Sequence, residues 1–317
     1  MKVIIAGGTG FLGRALTASL LADGQDVVVL TRVDVARSSD AAGSGEVARR
    51  LQPSAVVVWT PNGETGPWAG EIDGADAVVN LAGESIGDRR WTSARKRRIL
   101  ESRLEATASL AKAIRGARRP PAVFVSASAV GYYGPLDDRK APETTPAGSD
   151  FLARVCAEWE DRARRAGSDR TRVVLIRSGL VLERDGGALP RMLPPFWFGA
   201  GGKVGSGRQY WPWIHRGDWV SLVRWTLATP AVSGPVNAVG PNPVTNEEFA
   251  RTLGRVLHRP AFMPAPAFAL RLLLGEMADG LLLSGQRAVP AVAERLGFRF
   301  KYERLEDALR AIFGSLG

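Results

Sequence analysis

The apolar run Val3–Ala6 stops at glycine and resumes at once as an amphipathic helix pattern, in the stretch "MKVIIAGGTGFLGRALTASLL". Gly7, Gly10 and Gly13 there take the spacing G-x-x-G-x-x-G. Glycine at these places allows a tight turn, lets backbone approach a bulky anion, and keeps helix and strand close. The helix start offers unpaired amide donors and the positive end of its dipole. A strand, turn and helix of this kind suit a pyrophosphate, with Gly7, Gly10, Phe11, Leu12 and Gly13 as expected contacts.

The second apolar run, "DVVVLTR", bears on which dinucleotide is held. An NAD site places Asp or Glu at the end of the second strand, on the ribose hydroxyls. Thr31 and Arg32 stand there instead. Arginine suits the 2′-phosphate of NADP, which a carboxylate would repel. Asp34 competes for the role, but it falls in the loop beyond the strand. The expected cofactor is NADP(H). Ligands bind beyond the carboxyl ends of such strands. "VVNLAGES" therefore offers Ala82 and Gly83, and "FVSASAVGYYG" offers Ser126, Ser128, Tyr132 and Tyr133.

Strand-like runs continue at Asp26–Leu30, Ala55–Trp59, Ala77–Leu81, Ala122–Ser126 and Arg172–Ile176. Helical patterns lie between them at Phe11–Asp23, Ala94–Arg115 and Ser149–Arg165, and the tracts Ser38–Gly45 and Thr60–Gly70 read as loops. Strands rich in valine and isoleucine with little polar alternation are buried on both faces. The fold class expected is α/β: a Rossmann-type doubly wound parallel sheet with a smaller, mostly helical C-terminal substrate domain. The dinucleotide domain is expected over 1–176 and 213–235. The substrate domain takes 177–212 and 236–317, with 261–317 as a small subdomain. A helix over Asp218–Ala228 and a short strand near Val236 are expected within this stretch.

The chain has 317 residues and a formal net charge of +10, which raises a nucleic-acid reading. The excess is scattered arginine. Its one dense cluster holds Arg89, Arg90, Arg95, Lys96, Arg97 and Arg98, and much of it falls on a helix with Ile99, Leu100, Leu104 and Leu110 on the apolar side. It reads as a solvated face, so no nucleic-acid partner is expected. The single cysteine, Cys156, excludes an internal disulfide and sits at helical spacing with apolar neighbours, as a core residue would. His215 and His258 lack zinc-site spacing, so no metal is expected. The most apolar long stretch, Ala265 to Leu283, is broken by Arg271, Glu276 and Asp279, and no membrane partner is expected. With strand-like sequence from Val3 and no leader pattern ahead of it, the reading is a soluble cytoplasmic protein. Dimers are the commonest assembly of such proteins, but the residues do not reveal an oligomeric state.

"GGTGFLG", "NLAG", "SASAVGYYG" and "RSGLVL", in this order, resemble the extended short-chain dehydrogenase/reductases. More narrowly, "NLAGESIGDRRWTSARKRRILESR", "GSGRQYWPWIHRGD" and "LLLSGQRAVPAVAERLGFRF" resemble an atypical branch labelled "epimerase family protein", which has a short extra C-terminal domain. The resemblance runs almost from end to end. It implies an NADP site at Gly7, Gly10, Gly13 and Arg32. The superfamily's chemistry uses a Ser or Thr after the fifth strand and a Tyr-x-x-x-Lys pair on the next helix, the lysine lowering the tyrosine pKa. Ser128 matches the serine. The pair does not carry over: laid on the helix, it falls on Phe151 and Val155, or one residue earlier on Asp150 and Arg154.

Ser128 and Tyr133 are accordingly the candidates for proton handling, with Lys140 as a helper; the competing reading makes both tyrosines packing residues. Substrate contacts are expected from Tyr132, from Arg177 at the end of the sixth strand, and from Lys203, Arg208 and Trp213 in the aromatic, glycine-rich stretch. The rings Phe196, Trp197, Phe198, Tyr210, Trp211 and Trp213 line a pocket on one reading and form a core between domains on the other. His215 and Asp218 are expected to brace the domain junction. Two functions stay in contention. One is an NADP(H)-dependent oxidoreductase or epimerase/dehydratase acting on a small molecule by hydride transfer. The other is a non-catalytic NADPH-binding sensor or partner protein.

Overall fold

The computed structural model describes residues 1–32 and 51–314. Asp34 and the loop expected over Ser38–Gly45 lie outside the described residues. Seven strands form one parallel sheet: β1 (Lys2–Ala6), β2 (Asp26–Thr31), β3 (Ala55–Val58), β4 (Ala77–Asn80), β5 (Val123–Ala129), β6 (Arg172–Ser178) and β7 (Gly234–Ala238). Their spatial order is β7-β6-β5-β4-β1-β2-β3, and every neighbouring pair runs parallel. The order reverses between β1 and β4. At that switch point the two halves diverge and leave a crevice beyond the strands' carboxyl ends.

The valine-rich strands divide their side chains between two buried faces, as the period of two requires. Val3, Ile5, Val27, Val29, Val79, Val125 and Ile176 pack with Leu16 and Leu20 of α1 (Phe11–Ala22) and with Trp219 and Val223. Ile4, Ala6, Val28, Val78, Phe124 and Leu175 pack on the other side with Leu110 and Ile114 of α2 (Ser93–Gly116) and Ala163 of α3 (Phe151–Arg164). The tract expected to be a plain loop over Thr60–Gly70 contains the start of a short 3-10 turn, Pro67–Glu71. Its purpose is apolar: Trp68 packs edge-on against Trp59 at 5.3 Å.

A second core lies beyond β6. Leu189, Leu193 and Phe196 of α4 (Leu189–Trp197) pack with Trp211, Trp213, Phe249 and Leu253, and with Leu305, Leu309 and Phe313 of the last helix. β7 belongs to the sheet, so the domain boundary expected between 235 and 236 falls inside a strand. The helix α5 (Arg216–Ala228) joins the two cores. Its Asp218 is buried and accepts from the backbone amides of Lys301 and Tyr302, both at 2.9 Å. His215 caps the same helix, accepting from the Gly217 amide at 3.0 Å and lying 4.2 Å from the Tyr302 ring. Both residues therefore brace the junction.

Asp218→Ala would strand two amides with no acceptor. It should cost about 1–3 kcal/mol in urea unfolding. Amide exchange should quicken first around residues 300–303 if the junction is what Asp218 holds.

Candidate functional site

At the glycine turn, Gly7 has φ +82°, and a Cβ there would lie 2.8 Å from the Leu81 carbonyl carbon, so β1 and the β4 exit touch backbone to backbone. A Cβ at Gly13 would collide with the Gly7 carbonyl and sit 2.7 Å from Gly8 Cα. The helix start is thereby held against the strand end. Gly10 is the N-cap, with no side chain accepting from the first amides, and no acidic residue stands in the first turn of α1. Such a cradle of free amides and positive dipole fits a diphosphate. Leu12 is half-buried against the core, and the Phe11 ring lies against Gly186 and Gly187, so both could serve a ligand only through backbone. Thr31 is buried at the end of β2, and Arg32 is exposed just beyond it.

The ends of β4 and β5 are tied to their helices by a buried polar set. Asn80 donates to Thr107 Oγ1 at 2.9 Å and to Ser126 Oγ at 3.4 Å, and accepts from the Ala82 amide at 3.2 Å. Trp159 Nε1 also donates to Thr107, at 2.9 Å. Ser126 is fully buried within this set, its hydroxyl turned to Asn80. Ala82 is half-buried and Gly83 exposed, on the side facing the crevice.

Beyond them, the expected catalytic pair is corrected. Ser128 is buried and donates to Glu160 Oε1 at 2.8 Å. Arg177 is 2% exposed and grips both Glu160 oxygens, Nε to Oε1 at 2.8 Å and Nη2 to Oε2 at 2.9 Å. Its Nη1 donates to Tyr133 Oη and to the Glu143 carbonyl, each at 3.1 Å. Tyr133, 1% exposed, donates to Asn237 Oδ1 at 2.7 Å. Burial pushes its phenol up to about 12, despite the neighbouring guanidinium. A proton carrier should titrate near its operating pH and reach the substrate. Tyr133 titrates above that range and is buried, and Ser128 and Arg177 are equally enclosed. Tyr132 is half-buried, with the Arg177 guanidinium 3.5 Å from its ring centre.

Glu143 and Glu160 were missed by the sequence reading. Glu143 is buried and accepts from the amides of Asn237 at 3.0 Å and Val292 at 3.2 Å, tying β7 to the C-terminal segment. Glu160 carried a readable signal: a carboxylate on the apolar stripe of α3, one turn beyond Cys156.

The helix register is corrected as well. Asp150 caps α3, accepting from the Ala153 amide at 2.8 Å, and Phe151 packs edge-on against Trp91 at 5.2 Å. Arg154 turns back to the Ser149 carbonyl at 2.7 Å. The positions facing the end of β5 are Leu152 and Cys156: a Cβ on Gly131 would lie 3.3 Å from Leu152 Cβ and 4.0 Å from Cys156 Sγ. The Cys156 thiol is raised to about 12, chiefly by burial, and is no nucleophile.

Arg95, expected on a solvated face, is buried and paired with Glu84 and the Ser85 carbonyl. Of the expected substrate residues, Trp213 is fully buried in the second core and donates to the Asn242 carbonyl at 3.0 Å. Lys203 stands 3.7 Å from Glu247, and Arg208 is exposed on the same loop. Among the described residues no hydrogen bond or ion pair joins either to the ends of β4–β6. The aromatic stretch divides: Phe196, Trp211 and Trp213 are core, while Trp197 and Phe198 are exposed at 41% and 86%. Lys140 is exposed and lines a separate cavity of about 660 Å³ with Tyr133, Leu136 and Asp150. Among the described residues no helix is long and apolar enough to cross a membrane.

Residues 3–240 match the NAD dependent epimerase/dehydratase family, and residues 265–312 match a domain of unknown function, DUF1731. The chain is 38% identical to the human epimerase family protein SDR39U1 over 315 residues, covering 98% of this chain and 99% of the relative. It is 43% identical to the chloroplastic SDR39U1 homolog of Arabidopsis thaliana over 314 residues, covering 98% and 86%. A crystal structure of human SDR39U1 with NADPH superposes with a TM-score of 0.87 at 38% identity, covering 100% of both chains. UDP-glucuronic acid 4-epimerase of Bacillus cereus, at 15% identity and a TM-score of 0.76, shares the fold, covering 99% of this chain and 98% of its own.

Glu160→Gln would leave the Arg177 guanidinium buried without its counter-charge, a loss of about 3–5 kcal/mol by denaturant unfolding. Tyr133→Phe would leave the buried Asn237 Oδ1 without its donor, a cost of about 1–3 kcal/mol near neutral pH. The wild-type phenol's folded pKa lies above its unfolded value, so its contribution is complete below about pH 10 and is lost as pH rises toward 12. Alkaline unfolding curves should show the variant losing less stability than wild type across that window.

Proposed function

Because the chain belongs to the NAD dependent epimerase/dehydratase family, we propose that it binds NADP(H) and acts as an oxidoreductase on a small molecule without a Tyr-x-x-x-Lys pair. The observation that carries the cofactor choice is Arg32, exposed at the end of β2 with no ion-pair partner among the described residues. A guanidinium there complements a 2′-phosphate. NADPH in the crystal structure of human SDR39U1 supports the same reading. The glycine cradle takes the diphosphate, and Gly83 leaves room for the far half of the cofactor.

When bound, the cofactor supplies hydride chemistry; this chain's residues hold and orient it. Leu152 and Cys156 are the α3 residues that lie against the turn after β5, so α3 brings neither a phenol nor an amine to that point. The same two residues favour a second reading, a non-catalytic NADPH-binding protein.

Arg32→Glu should weaken NADPH binding roughly ten- to a hundredfold, while NADH affinity changes little, in fluorescence titrations of the purified protein. NADPH oxidation should then be followed at the nicotinamide absorbance with carbonyl compounds, quinones and nucleotide sugars. Turnover with any of them supports the enzyme; tight binding with none supports the binding protein.

A further inference from the structure

Arg103 is the one guanidinium at the crevice edge of β4 and β5 with no carboxylate partner among the described residues. It rises from α2 one turn before Thr107, which is bonded to Asn80 at the end of β4. A Cβ on Gly83 would lie 3.3 Å from its Cγ and 3.4 Å from its Cζ, so the side chain runs alongside the β4 exit. Its Cζ stands 5.1 Å from the Trp159 ring centre, and the Glu84 carboxylate, itself paired with Arg95, acts on it only through space. Nη1 donates to the Ile99 carbonyl at 2.9 Å; no hydrogen-bond partner is found for Nε or Nη2 among the described residues. The other cations nearby are spent: Arg95 on Glu84 and Ser85, Lys96 on Glu276, Arg177 on Glu160. Burial lowers the Arg103 pKa, but an arginine keeps its proton in such a setting.

A dinucleotide with its diphosphate at the β1 turn runs across the switch point, so its nicotinamide half lies toward β4 and β5. That is the side on which Gly83 and Arg103 meet. We propose that Arg103 is a specificity-determining cation that takes the place of the superfamily's lysine and biases the crevice toward the reduced cofactor. The physical reason is charge. The oxidised nicotinamide ring carries a positive charge and the reduced ring carries none, so a fixed guanidinium beside it repels only the oxidised form. The same guanidinium, with donors free, suits the electron-rich oxygen of a carbonyl compound. The reaction class this favours is carbonyl reduction. The inference rests on the NADP(H) reading above.

The test needs no substrate. Dissociation constants of NADPH and NADP⁺ are measured by fluorescence and calorimetry for wild type, Arg103→Met, Arg103→Gln and Arg103→Lys, with thermal melts to verify folding. Arg103→Gln keeps a donor for the Ile99 carbonyl, so it serves if the methionine variant does not fold. Expected is a wild-type preference for NADPH that falls roughly tenfold in the neutral variants, through tighter NADP⁺ binding, and returns in Arg103→Lys. Equal changes for both cofactor forms, or none, would overturn the proposal. Wild-type protein that binds neither form would instead overturn the cofactor reading on which it rests.

Discussion

The bidentate pair between Arg177 and Glu160 is the contact on which the crevice end of the sheet depends. Both side chains are withdrawn from water, at 2% and 0% exposure. Burying two charges costs several kcal/mol each, and the cost is met only if geometry is good and the leftover donors and acceptors are satisfied. Here they are: Ser128 and Arg164 also donate to the carboxylate, and Tyr133 and the Glu143 carbonyl accept from the guanidinium. Through Tyr133 the set reaches Asn237, whose Nδ2 donates to the Ala141 and Val289 carbonyls. One ion pair thus fastens β5, β6 and β7 to α3 and to the C-terminal segment.

That fastening uses up the polar groups that look catalytic. A serine at the end of β5 and a tyrosine in the next turn would serve proton transfer if their hydroxyls faced the crevice. In this chain each points inward to a partner in the set, and neutral burial of the phenol moves its titration far from physiological pH. What the crevice presents to a ligand is backbone amides and the side chains on its rim. The exposed Gly83 and the half-buried Arg103 are on that rim; Ser128 and Tyr133 are behind it.

The parts legible in the sequence are those fixed by backbone sterics and local period. Gly7 and Gly13 announce the turn because a side chain at either would strike backbone, and the valine runs announce strands buried on both faces. Asp218 is legible at the junction through the family resemblance of its H-x-x-D spacing, and its partners there are amides of a single short segment. The catalytic end was less legible. Which way Tyr133 and Arg177 point is decided by Glu160 and Asn237, remote in the chain, and one-residue uncertainty in the register of α3 exchanges the crevice face for the Trp91 face. The aromatic stretch was ambiguous for a related reason. Trp213 and Phe198 differ little in composition or setting, yet one fills a core and the other projects into solvent.

The register of α3 also explains why a neutral residue is tolerated at position 156. A lysine there would stand beside Arg103, and two cations in a partly desolvated site repel strongly. Either helix can supply the positive charge of this region, but both together would oppose each other. With Arg103 contributed by α2 and stacked on Trp159, position 156 is free to be small and apolar in character, and the Cys156 thiol fills the space under Gly131 without charge. A cation on α2 and an uncharged residue at position 156 thus avoid the repulsion that two buried positive charges would bring.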